Sequence, residues 1–288
     1  MGDIMGGFFG LFDYSKPGPG IAKDAPPKPR VMVFLDIFTR KFWNLIKINL
    51  LFSIFNIPAL VLLIFMGVFS TSLFPPVNGI DLYMDLIVRL VIGSFFICIP
   101  LITVGPAQAG FTYLLRNYAR EEHAFIWSDF KEHALKNFKE SVIISLVDLV
   151  VVLLVVVDIY LYLKMSNGSI LFSIATAFLA LSFVVFLMMH LYIYPMLVTF
   201  KLSIKQIYKN ALIFSIIRFL PNLGILLLCA VLLVVTFYLP VVGFILFPLI
   251  TVSTISLITN FYVYPSLKKY MIDKVEGQAA APEETGNP

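Results

Sequence analysis

Charged residues are scarce in this chain of 288 residues, where Asp, Glu, Lys and Arg make up only 13%. A soluble domain carries roughly 25%, so the composition excludes a soluble globular enzyme and a disordered protein. Cysteine is also rare: Cys98 and Cys229 both lie in apolar runs, which excludes a disulfide scaffold and a cysteine-rich metal cluster. Hydrophobic residues reach 60%, and the mean hydropathy is +0.94. These values predict a protein embedded in a lipid bilayer.

The common catalytic motifs are missing as well. The chain contains no Gly-x-Ser-x-Gly, no His-Glu-x-x-His and no phosphate loop ending in Gly-Lys-Ser/Thr. Two acid–His pairs, Glu122–His123 and Glu132–His133, match no known metal-ligand spacing, and we interpret them as solvated charge. We therefore expect no enzyme activity, no metal, no cofactor and no nucleic-acid partner.

Long uncharged stretches predict an all-α bundle of six membrane spans. About 20 residues are needed to cross the hydrocarbon layer. The 49 uncharged residues 219–267 would measure about 73 Å as one helix, so they must fold back at the Pro/Gly-containing hinge 239–243. The predicted spans cover about 43–66, 84–104, 141–163, 169–195, 220–239 and 241–264.

The distribution of positive charge predicts the orientation. Of the 21 Lys and Arg residues, 19 lie in the N-terminal arm, in segments 105–140 and 196–219, and in the C-terminal tail. Such residues stay in the cytoplasm, so we expect both termini on the cytoplasmic side of the membrane. The predicted domains are an arm with a Pro/Gly linker (1–38), a membrane domain (39–270) and a disordered tail (271–288).

Two cytoplasmic segments are predicted to be amphipathic helices at the membrane interface. After Phe111, apolar residues recur at helical spacing, with Arg116 and Arg120 on the opposite side. Asp129 followed by Glu132 resembles a capping box that begins a second helix. The apolar stripe of this second helix consists of Phe130, Ala134 and Phe138. Such helices place their basic side chains toward lipid phosphates.

The chain also has the pattern of three hairpins. A basic amphipathic stretch precedes each outward span, and each return span is predicted to end near a proline, at Pro106, Pro195 or Pro265. The three hairpins are either true repeats or the ordinary consequence of positive charge before outward spans.

A cluster of small residues follows the second predicted span. Its members are Gly105, Pro106, Ala107, Ala109 and Gly110. Small residues let helices approach closely in a membrane. The cluster is therefore either a tight break between two helices or part of a docking or substrate site. In the docking alternative the face continues through Arg116, Trp127, Asp129 and Phe130.

Four ionisable residues lie inside predicted spans, where they are costly. They are Arg89, Asp148, Asp158 and His190. Asp148 lies near the depth of His190, and Asp158 lies at a depth matching that of Arg89. We interpret them either as ion pairs or hydrogen bonds joining the spans, or as a polar translocation path.

Several stretches together resemble a known family. They are Gly6-Gly7-Phe8-Phe9-Gly10-Leu11-Phe12 with the following Asp-Tyr-Ser-Lys-Pro-Gly-Pro-Gly, then Arg40-Lys41-Phe42-Trp43, Gly105-Pro106-Ala107-Gln108-Ala109-Gly110, and Phe125-Ile126-Trp127-Ser128-Asp129-Phe130. Their order resembles the YesL-like family of bacterial integral membrane proteins, a family of unknown function. The resemblance implies a Gram-positive-type bacterium, a plasma-membrane location and an association with carbohydrate uptake. It assigns no catalytic residues.

These observations predict a non-enzymatic accessory or regulatory component of carbohydrate uptake. Its expected partners are the lipid bilayer and a sugar importer of the ATP-driven (ABC) type or the sensor of such an importer. The alternative function is a small transporter or channel in its own right.

Overall fold

The computed structural model describes residues 28–59, 61, 103–165 and 169–273. All regular secondary structure in these residues is helical. The helices are α1 (Arg30–Phe55), α2 (103–119), α3 (Ile126–Lys136), α4 (Phe138–Met165), α5 (Ile170–Leu197), α6 (Ile204–Ile217), α7 (Phe219–Phe237), α8 (Pro240–Leu246) and α9 (Val252–Leu267). A π-helical turn, Phe247–Thr251, joins α8 to α9, and a second, Lys268–Ile272, follows α9.

Within the part of the chain that the structure describes, four helical segments are long and apolar enough to cross a membrane. They are Phe138–Ile159, Ile170–Leu197, Phe219–Phe237 and Val241–Ile272. They correspond to the last four of the six predicted spans. The predicted span 84–104, the end of the span 43–66 and residue Arg89 lie largely or wholly outside the described residues, as do 1–27 and 274–288.

The predicted hinge between the last two spans is present. Helix α7 ends at Phe237, and α8 begins with Pro240 at its first turn, where a missing N–H has no effect on the hydrogen-bond ladder. The hydroxyl oxygens of Thr236 and Thr251 lie 3.2 Å apart, which shows that the chain has folded back.

The return spans end near the predicted prolines, because α5 and α9 end two residues after Pro195 and Pro265, but both helices include the proline. A proline within a helix deprives the carbonyl four residues earlier of its partner. In α9 that carbonyl belongs to Phe261, and the Arg30 guanidinium donates to it at 2.9 Å while lying over the Phe261 ring. The helix therefore continues because another helix replaces the lost hydrogen bond.

The N-terminal helix also braces the π-helical turn. Asn49 is fully buried; its amide nitrogen donates to the Phe247 carbonyl at 2.8 Å, and its amide oxygen accepts from the Ser253 N–H at 2.7 Å. A π-helical turn interrupts the regular hydrogen-bond pattern of a helix. Asn49 bonds to the backbone at the first residue of the Phe247–Thr251 turn and to Ser253 just after it. Because α1 begins at Arg30, residues 30–38 are helical rather than part of the predicted linker.

Helix α2 forms the centre of one of two apolar clusters. Phe111, Leu114 and Leu115 are fully buried, and they pack with Ile48 of α1 and Phe130 of α3. The prediction of an interfacial helix after Phe111 is therefore corrected, since most sides of α2 are covered by protein. The second cluster joins α5, α6 and α9 around residues 191–198.

Candidate functional site

A polar cluster joins two membrane spans to helix α6. The His190 imidazole Nε2 lies 2.9 Å from the Asp148 carboxylate, and the Tyr208 hydroxyl donates to the same carboxylate oxygen at 3.4 Å. Asp148 and His190 are each 26% exposed. Burial, together with the Asp148 carboxylate, raises the pKa of Tyr208, so its phenol stays protonated and acts as a donor. The two residues of matched predicted depth are thus in contact.

The hydrogen bonds of His190 determine the total charge of this pair. Its Nδ1 lies 2.9 Å from the Phe186 carbonyl, which can only accept, so Nδ1 carries a proton. Nε2 then either donates to an ionised Asp148 or accepts from a protonated one. The pair has no net charge in either state, and this limits the penalty of placing two ionisable groups in a span.

The cluster of small residues lies in helix α2, which runs without a break through 103–119, so the predicted break between two helices is not present there. Gly105, Pro106, Ala107, Ala109 and Gly110 are all buried. They let helices approach closely, as two of the glycines show. A β-carbon at Gly105 would overlap the Ser141 carbonyl of α4 and lie 2.5 Å from Ser145 Oγ. A β-carbon at Gly110 would lie 2.5 Å from the Phe130 carbonyl of α3.

Arg116, another predicted docking residue, holds the end of α5. Its guanidinium donates to the Val198 carbonyl at 2.8 Å and to the Thr199 hydroxyl at 3.2 Å. Positive charge at a helix C-terminus is favourable because of the helix dipole. The same group lies 4.5 Å from the Tyr113 ring centre. Burial, and then the charge of Arg120, lower the pKa of Arg116, although arginine stays protonated in proteins.

The opposite face of Tyr113 is covered by His133 of α3. The two ring centres lie 3.3 Å apart at an angle of 13°. Burial lowers the pKa of His133, with Lys136 and Arg116 acting in the same direction against Glu132. The imidazole is therefore neutral at pH 7. Its Nδ1 is buried without a hydrogen-bond partner among the described residues.

The predicted acid–His pairs do not converge. Glu122 forms an ion pair with Arg120 at 3.0 Å, while the His123 ring contacts Phe125 at 4.7 Å and His133 stacks on α2. Within 28–59, 61, 103–165 and 169–273, no three His, Cys, Asp or Glu residues are grouped so as to hold a metal ion.

Helix α3 presents an exposed aromatic face. It begins at Ile126, so Asp129, which was predicted to cap the start of the helix, lies inside its first turn. The Asp129 carboxylate accepts a hydrogen bond from the Phe125 N–H at 2.8 Å. Phe130 is buried, but Trp127 is 58% exposed and Phe125 68% exposed. The predicted apolar stripe of Phe130, Ala134 and Phe138 does not lie on one helix, because α3 ends at Lys136 and Phe138 is the first residue of α4.

Trp127 also lies at the edge of an apolar groove of about 250 Å³. The groove runs between Phe55 of α1 and Phe138 of α4, and its floor includes Phe130. The rings of Phe55 and Trp127 are 6.4 Å apart. Of the docking residues predicted from the sequence, Trp127 is the one with an exposed side chain, while Arg116 and Asp129 are partly exposed.

Asp158 lies in α4 and is partly exposed, and no ion pair joins it to another residue of the described ranges. Its predicted partner, Arg89, is outside those ranges, so this pair remains a prediction.

Asn222, which the sequence interpretation did not select, connects three helices near the start of α7. The hydroxyls of Tyr192 and Tyr262 both donate to its amide oxygen at 2.7 Å. Its amide nitrogen donates to the carbonyls of Phe214 at 3.1 Å and Ser215 at 3.4 Å. The signal was available, because Asn222 is a polar residue at the start of a long apolar run.

The long apolar helices and the polar contacts between them define an α-helical membrane protein. Residues 45–159 match a family model described as "Protein of unknown function, DUF624". The match covers less than half of the chain and includes α2, α3, Trp127 and Asp148, while His190 and Tyr208 lie outside it. No curated protein and no solved structure matches the chain.

Proposed function

We propose that this chain is a non-enzymatic accessory protein of carbohydrate uptake in a Gram-positive-type bacterium. An importer or its sensor binds the exposed aromatic face of α3, formed by Phe125 and Trp127. The resemblance to the YesL-like family implies the process, and the exposure of this face supports the mode of action. In this proposal the end of the bundle that carries α3 and the basic segments faces the cytoplasm, and both termini lie on that side.

The observation that carries the proposal is the contrast within α3. Its inner side is held rigidly, since Phe130 is buried against the backbone of Gly110 and His133 stacks on Tyr113. On its outer side Trp127 is 58% exposed. Because α3 is already packed in place, a partner that binds Trp127 does not have to order the helix, and tryptophan is enriched among the residues that dominate interfaces.

The experiment compares the two tryptophans of the chain. Trp43 on α1 is 73% exposed and provides a matched control. Tagged wild type, Trp127→Ala and Trp43→Ala are purified from native membranes, and co-purified importer subunits are quantified by mass spectrometry. We expect recovery of these subunits to fall at least tenfold for Trp127→Ala, equivalent to about 1.4 kcal/mol, and to stay unchanged for Trp43→Ala. A deletion strain carrying Trp127→Ala should also grow poorly on the affected sugar.

Equal recovery with all three proteins, or recovery of no importer or sensor component, contradicts the proposal. A second candidate, transport by the chain itself, is favoured by the Asp148–His190 pair within the spans. It predicts sugar uptake into liposomes that contain only the purified protein, and loss of that uptake in Asp148→Asn.

A further inference from the structure

A polar groove lies where two membrane spans end. Its volume is about 390 Å³. One wall is the junction of α3 and α4 around Asn137, and the other is the 197–202 segment after α5. The span in α4 begins at Phe138 and the span in α5 ends at Leu197. The groove is therefore at the level of the lipid headgroups, whichever side of the membrane it faces.

The charge of the groove is positive. Lys136 and Lys201 line it from opposite walls, both are exposed, and neither has an ion-pair partner within the described ranges. Glu140 is the one carboxylate among the lining residues. Behind the 197–202 wall, the Arg116 guanidinium donates to the carbonyl of a lining residue and adds a third positive charge.

The groove also offers hydrogen-bond donors that suit an anion. Asn137 lines it with a side-chain amide that donates one N–H to the His133 carbonyl at 2.8 Å and has a second N–H to offer. His133 also lines it, with its ring held in place by the stack on α2. Two cations from opposite walls with neutral N–H donors beside them fit an anionic group such as a phosphate better than an apolar ligand. Basic pockets between membrane helices bind phospholipid headgroups by the same chemistry.

We propose that this groove binds a phosphate group, held between Lys136 and Lys201. The phosphate belongs either to an anionic phospholipid headgroup or to a soluble phosphate compound. Since the groove opens at the membrane boundary, an anionic lipid in the adjoining leaflet reaches it without crossing the protein. Binding of this lipid would join α3 to the α5–α6 segment and stabilise the basic end of the bundle.

The experiment removes the two groove lysines and compares the variant with a control of equal charge. Lys136→Gln/Lys201→Gln is the test variant. Lys205→Gln/Lys209→Gln removes two exposed lysines of α6 outside the groove. Full-length proteins are reconstituted in nanodiscs of phosphatidylcholine with a minor fraction of phosphatidylglycerol. After extraction into a mild detergent, the retained phosphatidylglycerol is quantified by mass spectrometry, and size-exclusion chromatography verifies folding.

Each lysine near a phosphate contributes about fivefold in affinity. The test variant should therefore bind phosphatidylglycerol about 25-fold more weakly, and the control variant should bind as wild type does. Glu140→Gln should bind about fivefold more tightly, which tests the site even if the lysine variant does not fold. In a second arm without anionic lipid, millimolar inorganic phosphate should raise the melting temperature of wild type but not of the test variant if a soluble compound is the ligand.

Selective loss in the first arm identifies a lipid headgroup, and a response in the second arm alone identifies a soluble phosphate. Equal loss of lipid in the test and control variants shows non-specific charge attraction and overturns the site. No difference in either arm, with no gain in Glu140→Gln, overturns it as well.

Discussion

Replacing Asn222 with leucine should destabilise the bundle through four lost hydrogen bonds at once. Asn222 is fully buried, accepts from two tyrosine hydroxyls, and donates to two carbonyls at the end of α6. Hydrogen bonds between membrane helices contribute about 0.6 kcal/mol each on average and up to about 1.7. Four of them amount to roughly 2–4 kcal/mol, and the apolar leucine regains part of this on burial, so we expect a loss of about 2 kcal/mol.

The assay is reversible unfolding in mixed detergent micelles, followed by circular dichroism. Tyr192→Phe alone should lower the free energy of unfolding by about 1 kcal/mol, because the buried hydrogen bond to Asn222 is lost. In the Asn222→Leu background the same change should have no effect or a stabilising one, since it removes a hydroxyl that leucine has left without a partner. Tyr238→Phe, at a side chain 82% exposed, serves as a control and should be neutral. Strict additivity of the Asn222 and Tyr192 changes would refute the reasoning.

Two further substitutions test the close packing and the ionisable pair. Gly105→Ala should lower the free energy of unfolding by at least 1–3 kcal/mol, because its β-carbon would overlap the Ser141 carbonyl. Gly224→Ala, with no atom within 4 Å of the new β-carbon, should be neutral or stabilising. Thermal melts in detergent compare the two variants, and equal shifts in melting temperature would contradict the close packing at Gly105. Asp148→Ala or His190→Ala alone should each lower the free energy of unfolding by about 1–3 kcal/mol, because the remaining polar group loses its partner. The double variant should lose clearly less than the sum, and additive losses would show that the pair is not coupled.

The membrane spans could be predicted because their signal is local. Four of the predicted spans coincide with apolar helices, and the 239–243 hinge follows from the length limit of a span. The inclusion of Pro265 within α9 could not be predicted, because the hydrogen bond that replaces the lost one comes from Arg30, more than two hundred residues earlier in the chain. No local pattern contains that information.

The candidate sites depend even more on contacts distant in sequence. Matched depth was sufficient to place Asp148 near His190, since two spans of known direction define depth. Tyr208 could not be placed with them, because it lies on α6, outside the spans, and its approach depends on how α6 packs. The burial of α2 was missed because periodicity indicates one apolar side of a helix and does not show that other helices cover the remaining sides.

The central claim is that a carbohydrate importer or its sensor contacts the exposed face of α3, and photo-crosslinking in living cells tests it most directly. A photoreactive amino acid is placed at Trp127 and, as a control, at Trp43, and the products are identified by mass spectrometry. The account predicts a crosslink from position 127 to a cytoplasmic or membrane component of a sugar importer or sensor, and none to that component from position 43. Crosslinks from position 127 to lipid alone, or the same products from both positions, would contradict it.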